Sequence, residues 1–221
     1  CKKLVNVTIP NSLTTIESGT FSQCRSLKSI IIPNSVKSIE NSVFSGCLSL
    51  TEINIPNSVK SIGRGAFAYC KKLVNVTIPN SLTTIESQCF WDCGSLNSIT
   101  IPDNVTVIKR QAFYGCDGLT SINIPDGVKT IGEEAFFDCD LLTNVNIPNS
   151  VTTIEEKAFY GCDKLTSLTI PNSVIKIGDA AFGLCDSLTS LTISNNVITI
   201  GRGTFSGCRS LSSITIPDGI T

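Results

Sequence analysis

A cysteine stands at Cys1, Cys24, Cys47, Cys70, Cys93, Cys116, Cys139, Cys162, Cys185 and Cys208, so the chain repeats every 23 residues without insertion or deletion. A unit this short cannot bury its own apolar face. It must be covered by the unit before and the unit after, which is the condition that produces a solenoid rather than a globule. The 221 residues at 23 per coil make about 9.6 coils. We read residues 1–221 as a single repeat domain. Neither end carries a polar cap, which marks an uncapped fragment of a longer protein.

Within a coil, seven positions are apolar in nearly every copy. In the coil opened by Cys24 they are Cys24, Leu27, Ile30, Ile32, Val36, Ile39 and Phe44. The alternation Ile30-x-Ile32, with β-branched residues, predicts a short strand. Pro33 ends it by lacking a donor N–H, and Asn34-Ser35, or Asp126-Gly127 in a later copy, supplies a turn. Val36-x-x-Ile39 predicts a second, shorter extended piece. The rest of the coil, rich in Glu, Arg, Gly and Ala, predicts a short helical turn, with Ala112, Ala135, Ala158 and Ala181 filling a tight slot before Phe. The expected fold is therefore an α/β repeat solenoid dominated by β-structure. Its first strands line up as a parallel sheet on the concave face, and short strands and helical turns close the other side.

Charge and chemistry exclude several functions. Seventeen Lys and Arg balance 18 Asp and Glu, which leaves no bulk attraction for nucleic acid, and no apolar run is long enough for membrane insertion. The charge is nonetheless split: residues 1–72 hold nine basic and three acidic residues, and the remainder reverses that excess. The open ends and this split predict end-to-end self-association. With no His, no Gly-rich phosphate loop and no paired carboxylates outside one Asp column, the chain does not read as an enzyme and calls for no cofactor. The Cys column lacks the CxxC spacing of zinc sites, so no metal is expected there, and parallel side-chain vectors oppose bridging. Free, buried thiols are predicted. Cys89 stands in the Ala column as a small-for-small replacement. Asp117, Asp140, Asp163 and Asp186 each follow their Cys. This column reads as turn capping in preference to a calcium site, which needs more oxygen ligands.

Two surfaces are candidates for binding a protein partner. The outward strand positions form polar ladders that include Ser98, Thr100, Ser121, Asn123, Asn144 and Asn146; these either bind or merely solvate the sheet. The second surface is aromatic. Trp91, Tyr114, Phe137 and Tyr160 occupy the position after Phe in four successive coils, with Tyr69 one position later in the coil before. Flanking coils carry Ala68 and Gly183 there, so the repeat does not demand these rings, and they serve either as a partner anchor or as packing between neighbours.

The pattern Cys47, Leu50, Ile53, Ile55, Pro56, Val59, Ile62, Phe67 and Cys70 resembles the BspA-like leucine-rich repeats over the full chain. Ordinary leucine-rich repeats place an Asn after the strand, which is absent here. The resemblance implies a leucine-rich-repeat fold and a cell-surface or secreted protein, often adhesive toward host matrix or other cell-surface proteins. It implies a non-enzymatic binding module with a protein ligand and does not name that ligand. The alternative is a structural spacer or self-associating array with no ligand of its own. Residues 1–18 and 70–87 are identical, three repeats apart, as internal duplication would leave them.

Overall fold

A computed structural model describes residues 1–220. Each coil contributes up to two strands. The shorter series comprises β1 (Thr15–Ile16), β2 (Ser38–Ile39), β4 (Ser61–Ile62), β6 (Thr84–Ile85), β7 (Val107–Ile108), β9 (Thr130–Ile131), β11 (Thr153–Ile154), β13 (Lys176–Ile177) and β15 (Thr199–Ile200). The longer series comprises β3 (Glu52–Asn54), β5 (Asn75–Thr77), β8 (Ser121–Asn123), β10 (Asn144–Asn146), β12 (Ser167–Thr169) and β14 (Ser190–Thr192). All pairings are parallel and join equivalent residues of adjacent coils, as in Val145 with Ile122 and Ile154 with Ile131. The chain is a parallel β-solenoid.

Continuity differs between the two faces. The shorter strands stack as β1-β2-β4 and then as six neighbours from β6 to β15, whereas the longer ones stop at the pairs β3–β5, β8–β10 and β12–β14. Residues 97–101, where a further long strand was expected, are not in a strand. Several inter-coil bonds beside the longer strands stretch to 3.3–3.4 Å, as from Thr51 N–H to the Lys28 carbonyl and from Ile55 N–H to that of Thr77. Beside the shorter strands, Lys37 N–H reaches the Thr14 carbonyl at 2.7 Å and Gly63 N–H reaches that of Ile39 at 2.8 Å. Of the two strand ladders, the shorter one is the more continuous.

The expected helical turns do not form; no helix occurs among the described residues. Two positions per coil take left-handed backbone instead, in one coil Glu134 at φ 54° and Asp138 at φ 51°. Left-handed residues four apart cannot belong to a right-handed helix. The N–H groups alternate in direction. Those of Ala135 and Phe137 turn back three residues to Gly132 and Glu134, while that of Phe136 crosses 2.8 Å to Ala158 of the next coil. This third face is a stack of linked turns with its own hydrogen-bond ladder.

The apolar columns are buried as their periodicity predicts. In the coil opened by Cys116, the side chains of Cys116, Leu119, Ile122, Ile124, Val128, Ile131, Ala135 and Phe136 all lie in the core. Phe21 through Phe205 make one column of nine rings, with neighbouring centroids 5.2–6.2 Å apart and planes within 13°. The stack is offset, as ring quadrupoles prefer.

Candidate functional site: an aromatic column on the turn face

The residue after each core Phe points away from the core, because the stacked turns alternate their side chains. At Trp91, Tyr114, Phe137 and Tyr160 this places four rings on the outside, one per coil. Centroids lie 5.6 Å apart for Trp91–Tyr114, 4.6 Å for Tyr114–Phe137 and 4.9 Å for Phe137–Tyr160. Tyr69, offset by one position in sequence, joins them: its φ of 60° swings the ring to 5.4 Å from Trp91. The five rings thus form one continuous column parallel to the buried Phe stack. Tyr69 is 38% exposed and the other four are half-buried. Packing between neighbours and exposure coexist, so the two readings of these rings are not exclusive.

Gly183 ends the column. A Cβ there would lie 2.8 Å from the ring carbons of Tyr160, so the missing side chain lets that ring lie over the next coil's backbone. On one flank runs a ladder that periodicity alone contains but that was not singled out. Arg64 Nε donates to Gln88 (2.9 Å), Gln88 Nε2 to Gln111 (2.7 Å), and Gln111 Nε2 to Glu134 (2.6 Å). The recurrence of Gln88, Gln111 and Glu134 at 23-residue spacing was its signal. Arg64, Ser87, Gln88, Trp91, Arg110 and Gln111 line a shallow depression beside the indole.

Carboxylates border the other flank. Burial, with Asp140, Asp117 and Asp163 nearby, pushes the Asp138 carboxyl up to about 6. Asp117 and Asp140 are raised by the same two causes, partial burial first and neighbouring aspartates second. Tyr114 is raised by burial and by Asp138, Glu134 and Asp92. Among the described residues, no group of three or more His, Cys, Asp or Glu is arranged to hold a metal ion.

The strand-face candidates lie on another part of the coil. Ser121 pairs with Asn144 and Asn123 with Asn146 in the β8–β10 ladder, and all four side chains are exposed. Ser98 and Thr100 are exposed too, in the coil where the long strand is missing, and Ser98 bonds to its neighbour Asn97 at 3.3 Å. This face carries no rings and is polar in these coils, with Ile31, 82% exposed, an apolar exception nearer the N-terminus.

All eleven cysteines are free, and nine are buried. Each thiol of the 23-residue column from Cys47 to Cys208 donates to the carbonyl of the Phe 26 residues earlier, at 3.1–3.3 Å. Burial holds Cys89 well above the ordinary thiol range, with Cys93 and Glu86 adding to the rise. It is not an activated nucleophile.

The family model described as the BspA type leucine-rich repeat region, in six copies, matches residues 1–120 and 106–221. Among solved structures, a leucine-rich cell surface protein from Faecalibacterium prausnitzii is 30% identical, with 98% of this chain and 76% of that one covered and a TM-score of 0.57. The T. pallidum leucine-rich repeat protein is 31% identical over 72% of this chain and 77% of its own, with a TM-score of 0.68. A leucine-rich repeat protein from Bacteroides ovatus is 30% identical over 100% and 75%, with a TM-score of 0.55. Among curated proteins, none matches the chain. No helix among the described residues is long and apolar enough to cross a membrane. The repeat unit, the parallel ladders and the family match lead to one conclusion: the chain belongs to the BspA-type leucine-rich repeat proteins.

Proposed function

We propose that this segment is a non-enzymatic protein-binding module of a cell-surface or secreted protein, and that the column Tyr69–Trp91–Tyr114–Phe137–Tyr160 is its anchor. The observation that carries this reading is a five-ring stack outside the core in coils whose neighbours manage with Ser45 and Gly183 at the position after Phe. Rings held by their neighbours lose little side-chain freedom on binding, and aromatic side chains dominate interface hot spots. The Gln88–Gln111 ladder and the bordering aspartates supply directional polar contacts at the rim. Surface location is supported by the Faecalibacterium prausnitzii relative, which is described as a cell surface protein.

The test is binding to a panel of purified extracellular-matrix and cell-surface proteins, measured for the parent chain, for Trp91→Ala with Tyr114→Ala, and for Asn144→Ala with Asn146→Ala. The ring variant should weaken binding by roughly 30-fold or more, as loss of a hot spot of about 2 kcal/mol does, while the strand-face variant changes little. Equal loss in the strand-face variant would move the site to the polar ladder. No binding across the panel would favour the spacer.

A further inference from the structure

The split of charge along this chain is concentrated on one edge. At the position after each core Cys the residues run Lys2, Arg25, Leu48, Lys71, Gly94, Asp117, Asp140, Asp163, Asp186 and Arg209. The same turn adds Lys3, Lys28 and Lys72 to the basic half and Asp138 to the acidic half, with Asp92 an exception in the first and Lys164 and Arg209 in the second. Backbone bonds fix this column in register: Leu141 N–H to the Asp117 carbonyl, Lys164 to Asp140, Ser187 to Asp163 and Ser210 to Asp186, at 3.1–3.3 Å. Like charges therefore repeat at about one strand spacing, near 4.8 Å and well inside the screening length of physiological salt.

Little within the chain neutralises them. Lys71 reaches Asp92 at 3.1 Å and Arg209 reaches Asp186 at 3.2 Å, but no salt bridge reaches Asp117, Asp140 or Asp163 among the described residues. These three and Lys2, Arg25 and Lys71 are exposed. The order of signs is also special. Counted outward from Gly94, Lys71 mirrors Asp117, Leu48 mirrors Asp140, Arg25 mirrors Asp163 and Lys2 mirrors Asp186. Three of these four pairs are opposite in sign, while uncharged Leu48 leaves Asp140 without a counterpart and Asp186 already holds Arg209; opposition of sign under reversal is what a two-fold, isologous contact requires.

We propose that this edge docks on the same edge of a second copy, antiparallel, with the two-fold axis at Gly94. Parallel docking would set Lys2 on Lys2 and Asp163 on Asp163, so repulsion selects the antiparallel arrangement. A strip about 40 Å long and one turn wide buries roughly 500 Å² per copy, at the low end of specific interfaces. The contact is accordingly weak and salt-sensitive. It needs neither a ligand nor the aromatic column, so its test is independent of the binding function proposed above.

Sedimentation equilibrium of this chain should show a dimer in about 20 mM salt and a monomer in about 500 mM, where screening falls to a few ångströms. An acid-reversed variant, Asp117→Lys, Asp140→Lys and Asp163→Lys, should be monomeric alone. So should a base-reversed variant, Lys2→Asp, Arg25→Asp and Lys71→Asp. Each leaves one sign dominant along the edge, with Asp186 the exception in the first and Arg209 in the second, and should associate at least ~10-fold more weakly than the parent; mixing the two should restore pairing. Far-UV circular dichroism of each variant confirms the fold. A parent that stays monomeric at low salt overturns the proposal, and oligolysine binding to that monomer would assign the edge to a foreign basic segment. Association that persists in each variant alone also overturns it, in favour of stacking at the ends.

Discussion

The thiol of Cys116 donates to the Phe90 carbonyl at 3.2 Å, as the thiols of its column do throughout the stack. Cys93 N–H already bonds that carbonyl at 3.3 Å, so the thiol occupies a second lone pair that an alanine would leave empty. Burial raises Cys93 to about 12, which keeps its proton in place. A colorimetric thiol reagent should therefore label exposed Cys1 first and half-buried Cys208 more slowly, and should reach the other nine only in denaturant. Rapid labelling of more than two thiols in buffer would contradict the buried column. Leu119 is fully enclosed, and Leu119→Ala should cost about 2–5 kcal/mol, spread over both neighbouring coils. An unchanged urea midpoint would remove Leu119 from the core.

The stretch before Phe misled the sequence reading for a physical reason. Glu, Gln, Lys and Ala are good helix formers, but local propensity is weak beside a ladder that draws every second N–H to the next coil. Ala180 shows the difference, at φ 50°. Ala180→Gly should stabilise by about 1 kcal/mol by relieving left-handed strain, where the same change in a helix would cost a similar amount. A fall in melting temperature would restore the helix. The strands and their core columns were legible because alternation and a rigid period report inside and outside directly. The aromatic residues were legible as departures from the repeat. Tyr69 was legible among them; that its left-handed backbone corrects the one-residue offset was not. Neither was the Gln88–Gln111–Glu134 ladder, whose members look like solvated surface until their separation is known.

Across the whole array, acid should stabilise before it denatures. Asp138 has a folded value of about 6 against an ordinary 3.8, so the folded chain holds its proton more tightly than the unfolded chain does. The contribution is complete below the unfolded value and is lost as pH rises through about 6; Asp117 and Asp140 shift in the same direction. The urea midpoint should rise between pH 7.5 and pH 5, and Asp138→Asn should flatten that rise. An equal slope in the variant would place its origin elsewhere. The three inter-coil ladders have a mechanical consequence as well. Their bonds join neighbouring coils in sequence, so a pull on the chain ends loads the outermost coil while the interior stays shielded. Each released coil frees 23 residues, about 75–80 Å of contour. Under tension the molecule should lengthen as a sawtooth of equal steps, absorbing a tug one coil at a time while the remaining coils keep their shape.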